Sequence, residues 1–182
     1  MSPDTTPADW LATSLDEPWR DGTVRIGAII PSGFEDYVRI DHSLVDERDE
    51  AHEGGLPHPI AQRLVRVLAN ATSSPDSCRM AVWNGWGDMP ASPSAIHLPG
   101  RDYVLVSGGV NAAAEPLWSH DDGPPHYQSP SLWWPDDHAW CVATEVDFAW
   151  TYVGGSASVV AALRGDRHLR TRPVNLEDDA NA

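Results

Sequence analysis

The chain contains no lysine. All twelve of its cations are arginine, against 27 aspartates and glutamates, for a formal net charge of −15. A chain that acidic has no electrostatic footprint for phosphate backbones, so nucleic-acid binding is not expected. Only Arg164, Arg167, Arg170 and Arg172 cluster, and Glu177, Asp178 and Asp179 follow them. Cysteine is scarce: Cys78 and Cys141 are too few for a disulfide framework, which points to a reduced, cytoplasmic protein. No run approaches the ~18 apolar residues of a membrane span, so no membrane partner is expected. The opening MSPDTTPADW has neither a basic region nor an apolar stretch, unlike a secretion signal.

What is present argues for a folded domain. Hydrophobic residues make up 41% of the 182, enough for a core and against wholesale disorder. Nine tryptophans outnumber tyrosine and phenylalanine together, and nine are hard to hide completely in a domain of this size. The reading is a segment 1–20 with a short helix, one domain over 21–170, and a disordered tail over 171–182.

Periodicity places the elements. Val24, Ile26, Ala28 and Ile30 alternate as in a half-buried strand, and Tyr37 to Ile40 reads as its hairpin partner. Ile60, Leu64, Val67, Leu68 and Ala71 share one helical face behind Pro57 and Pro59. Met80–Trp83 and Tyr103–Ser107 read as strands, with residues 88–100 as loop. Residues 119–138, rich in proline, read as a long loop. Trp140 to Phe148 is the strongest strand pattern. Gly154-Gly155-Ser156 opens a helix over Val159, Val160 and Leu163. The fold class is α+β, with five to six largely antiparallel strands and two main helices.

Three groups of residues carry candidate chemistry. Glu145 and Asp147 stand two apart on the predicted strand, so both emerge on one face about 7 Å apart. That suits an acid–base pair or a shared metal as well as a wet strand face. His120, Asp121, Asp122, His126, Asp136, Asp137 and His138 are metal-ligand types, but their spacing matches no established site. No metal, no cofactor and no catalytic residue is therefore assigned. Trp133 and Trp134, stiffened by Pro130 and Pro135, offer an apolar recognition surface, one ring expected in the core and the other outward. Trp86, in the Asn84-Gly85-Trp86-Gly87 turn, joins them as a binding candidate.

The segments Ile30 to Ile40 (IPSGFEDYVRI), Trp83 to Gly87 (WNGWG) and Ser129 to Ser156 (SPSLWWPDDHAWCVATEVDFAWTYVGGS) resemble an uncharacterised family of actinobacterial proteins. The resemblance implies a bacterial cytosolic origin and carries over no activity and no catalytic residue. The function expected is a small acidic binding module, immunity- or regulator-like, for a protein partner with a basic surface. It would use Trp133, Trp134, Asp136, Asp137 and His138. Two alternatives stay open. One is a metal- or carboxylate-based enzyme at Glu145 and Asp147, assisted by His138. The other is a domain that stacks a sugar or nucleotide on the tryptophans.

Overall fold

Alternating and helical apolar patterns meet in one antiparallel sheet covered on both faces. The computed structural model describes residues 4–17, 22–43, 53–85, 94–115 and 129–182. Eight strands run in chain order: β1 Asp36–Asp41, β2 Cys78–Trp83, β3 Ala95–Leu98, β4 Arg101–Gly108, β5 Leu132–Pro135, β6 Trp140–Thr144, β7 Trp150–Gly155 and β8 Thr171–Pro173. In space the order is β3-β4-β2-β5-β6-β7-β1-β8. The helices are α1 Asp9–Ser14, α2 His58–Leu68 and α3 Ala157–Gly165. The α+β class holds, with eight strands and three helices among the described residues rather than five to six and two. The surplus lies in β3, β5 and β8, which have four, four and three residues. Runs that short carry too few alternations to declare themselves.

One face of the sheet is covered by helices. Ile60, Ala61, Leu64, Val65 and Leu68 of α2 are buried against Val38, Ile40, Trp133, Trp140, Val142 and Val153. The predicted stripe is thus shifted slightly, with Ala61 and Val65 inward and Val67 only half-buried. Helix α3 adds Val159, Val160 and Leu163. Its cap is the expected Ser156, whose hydroxyl accepts the Val159 N–H at 3.3 Å. Leucine-rich helical faces of this kind bury ~1.5–3 kcal/mol per large side chain.

The opposite face is covered by the chain's two ends. Residues 24–30 are not a strand: Ile26–Ala28 form a 3-10 turn, and β1 pairs with β7 and β8 instead of a hairpin partner. Residues 171–182, expected to be disordered, are ordered. Thr171–Pro173 extend the sheet, Arg25 bridges to Asp179, and Ala180 is fully buried. The ends are stitched by backbone bonds from Ile26 N–H to Asp178 O (3.1 Å), Gly27 N–H to Leu176 O (2.9 Å) and Ala180 N–H to Val24 O (2.9 Å). At Gly27 a Cβ would stand 2.4 Å from Oδ2 of the exposed Asp16 and 3.4 Å from Leu176 Cβ, so a larger residue would have to push the Asp16 side chain aside. These contacts carry no local periodicity, which is why composition alone reads the tail as loose.

Candidate functional site

The expected tryptophan loop is a central strand. β5 pairs with β2 on one side and β6 on the other. Trp133 and Trp134 point to opposite faces, as neighbours on a strand must. Both faces are covered, so both rings are fully buried. Trp133 packs edge-on against Trp140 at 5.1 Å, and Trp134 edge-on against Trp10 at 6.0 Å. Neither ring is exposed to a partner. The expectation that one faces outward fails because the second face carries its own layer.

Asp136, Asp137 and His138 form the β5–β6 turn and are bound to the protein itself. Asp136 accepts from Ser77 Oγ, and its Oδ1 lies 3.1 Å from Arg79 Nε. Asp137 accepts from Thr72 Oγ1 (2.8 Å), Ser73 N–H (2.7 Å), Ser73 Oγ (2.7 Å) and Ala139 N–H (3.1 Å). Desolvation pushes its pKa up, but the hydrogen bonds from Ser73, Thr72 and Ala139 outweigh that and hold it down to about 2. His138 takes φ 52°, and its ring stacks on Trp10 at 4.5 Å. Trp86 lies outside the described residues, as do His120, Asp121, Asp122 and His126.

Glu145 and Asp147 are not on the strand either. β6 ends at Thr144, and the two carboxylates flank the turn into β7. The five residues of β6 separate them from His138, roughly 17 Å at ~3.4 Å per residue. His138 therefore does not assist them. They do converge, on Arg101. Its Nε donates to Glu145 Oε2 at 3.2 Å, and its Nη2 donates to Glu145 Oε1 and to Asp147 Oδ2, the latter at 2.8 Å. A guanidinium thus fills the place a metal would take between them. Among the described residues, no three His, Cys, Asp or Glu side chains gather as a metal site.

Arg101 is positioned by the β3–β4 hairpin, where Leu98 pairs with Arg101 around Pro99-Gly100. Gly100 has φ 87°, the left-handed turn geometry glycine adopts freely. The guanidinium carbon lies 5.0 Å from the centre of the Trp83 ring. Burial disfavours its charge, but hydrogen bonds and charge from Glu145, then Asp147, outweigh burial and raise its pKa.

This ion triad stands at a pocket of about 450 Å³ on the face covered by the chain ends. Leu15, Val24, Ala28 and Ile29 wall it from the N-terminal side, Tyr103, Leu132 and Phe148 from the sheet side, and Asn181 from the tail. Tyr103 is buried, and burial first, then the charge of Glu145, raises the pKa of its hydroxyl. Thr144 also lines the pocket. Its Oγ1 lies 2.7 Å from Thr151 Oγ1, which lies 2.9 Å from His42 Nε2, a buried polar chain across β6, β7 and the end of β1.

Neither cysteine takes part. Both are free and buried; burial raises the Cys141 pKa and, with the charges of Asp136 and Asp137, pushes that of Cys78 up to about 11. A thiol held protonated is a poor nucleophile. Sequence reasoning found Glu145 and Asp147 but missed Arg101, Tyr103 and the pocket itself. Arg101 follows a Pro-Gly turn signal, but its partners lie 44 and 46 residues away.

No family model matches the chain, nor does any curated protein or solved structure. Among the described residues, no helix is long and apolar enough to cross a membrane.

Proposed function

We propose that the protein is a small-molecule-binding domain whose site is the pocket beside Arg101. The observation that carries this reading is the pocket itself. At about 450 Å³ it falls within the ~300–1,000 Å³ of small-ligand sites. Its walls are about equally apolar and polar: Leu15, Val24, Ile29, Leu132 and Phe148 line it together with Arg101, Glu145 and Asp147, a mix that can both bury and orient a ligand. The reading keeps the binding-module class expected from the sequence and moves the site from the tryptophans to the pocket. Two unpaired, buried cysteines support a reducing, cytoplasmic location.

A second reading, an acidic module for a basic protein partner, draws on the exposed Asp16, Glu177, Asp178 and Asp179 beside the stitched ends. Membership of the actinobacterial family that the motifs resemble belongs with the proposal and adds no activity to it.

Ligand-observed NMR with phenethyl alcohol, a neutral aromatic probe, tests the pocket reading. Ala28 is half-buried and lines the cavity, so Ala28→Trp fills it. The wild type should bind the probe, and Ala28→Trp should fold, by circular dichroism, and lose it. Equal binding by both proteins, or none by the wild type, overturns the assignment.

A further inference from the structure

The charge balance at the pocket narrows the ligand class. Arg101 supplies one positive charge and faces two carboxylates, leaving the group one unit negative. The two acids are held differently. Glu145 has both oxygens engaged: Oε2 accepts from Arg101 Nε, and Oε1 from Arg101 Nη2 and from the Val146 N–H at 2.9 Å. Its side chain is only 18% exposed. Asp147 makes one bond, through Oδ2, and its side chain is 76% exposed. Among the described residues nothing donates to its Oδ1. The pocket therefore has one fixed acid and one with an acceptor to spare.

Resting on the pocket as the binding site, we propose that its ligand is an amphipathic cation: an apolar body of aromatic size carrying one protonated amine, which Asp147 receives. Leu15, Val24, Ile29, Leu132 and Phe148 supply apolar wall for the body. A bare inorganic cation would leave those walls unfilled. An anion could meet Arg101 only at Nη1, since Nε and Nη2 are taken by the two acids, and would sit beside both carboxylates in a chain whose net charge is already −15. A protonated amine instead neutralises the excess charge while Arg101 keeps both partners. Because Asp147 is exposed, the pairing is a modest, salt-sensitive one.

Three probes with a common phenyl body separate the possibilities: phenethylamine, phenethyl alcohol and phenylacetate, titrated at pH 7 and low salt. Phenethylamine should bind about two- to fivefold tighter than the alcohol, the upper range of an exposed ion pair. Phenylacetate should bind weakest. Asp147→Asn should bring the amine down to the alcohol's affinity and leave the alcohol unchanged, and added salt should do the same in the wild type. Phenylacetate binding as tightly as the amine, or an amine advantage that survives in Asp147→Asn, overturns the proposal. If all three bind alike and Ala28→Trp abolishes them, the pocket stands and the cation preference falls. If none binds the wild type, the pocket reading falls and this inference with it.

Discussion

The two faces of the sheet are covered in different ways, and the difference locates the site. On one face, α2 and α3 present regular apolar stripes that interlock with Trp133, Trp140 and Val142. On the other, short pieces from both ends of the chain lie across Trp134, Cys141 and Tyr152, held to one another by backbone hydrogen bonds. A helix repeats its side-chain spacing and fills a flat face evenly. Irregular segments have no such repeat, and here they leave a cavity beside the β3–β4 turn. Stability rests on both faces, while the pocket proposed as the binding site belongs to the irregular one.

Substitutions can break or sharpen this contrast. Trp133 serves the helical face and Trp134 the face under the chain ends, and both are fully buried. Each should lose about 3–5 kcal/mol on replacement by alanine, measured by urea unfolding. A loss under about 1 kcal/mol at Trp134 alone would mean that the chain ends do not pack as a true second layer. The next pair contrasts filled with unfilled space. Leu64→Ala should cost about 2–5 kcal/mol, because Leu64 is wholly enclosed by the helical face. Leu15→Ala should cost about 1 kcal/mol or less, because Leu15 is half-buried and borders the pocket. Equal costs would erase the distinction.

Asp137 ties the β5–β6 turn to the segment before β2, so Asp137→Ala should cost about 1–2 kcal/mol. Its pKa is depressed in the folded state. Its contribution is therefore fully present above the unfolded value of about 3.9 and lost as pH falls from there through about 2. The wild type and Asp137→Ala should accordingly converge in stability over that acid range, and a constant gap down to pH 2 would contradict the assigned role. The smallest effect belongs to the pocket: Asp147→Asn should change stability by no more than about 0.5 kcal/mol, since its side chain is 76% exposed. A larger loss would make the ion triad a structural clamp.

Much of the helical face was legible in the chain. The spacing of Ile60, Leu64 and Leu68 marks α2, and Ser156 after two glycines marks the start of α3. The alternation from Trp140 to Phe148 marks β6, although the strand ends at Thr144 and the chain turns from Glu145. The other face was hardly legible. Val24 to Ile30 alternates like a strand, yet Ile26, Ile29 and Ile30 are buried from a 3-10 turn. The four residues of β5 were hidden in a proline-rich stretch, and a pair of buried tryptophans there resembles a recognition loop until a layer is known to cover each ring.

The sequence by itself determined the α+β class, the helices α2 and α3, the strand β6, the acidic charge and the presence of a carboxylate pair at Glu145 and Asp147. These depend on composition or on side-chain periods within a dozen residues, which a single chain displays directly. Tertiary structure alone decided that residues 171–182 close the core, that Trp133 and Trp134 are both interior, and that Arg101 stands between the two carboxylates at a pocket. Each of those facts is a meeting of segments distant along the chain. Such meetings follow from strand order and from which segment covers which face, and no local pattern of residues records either one.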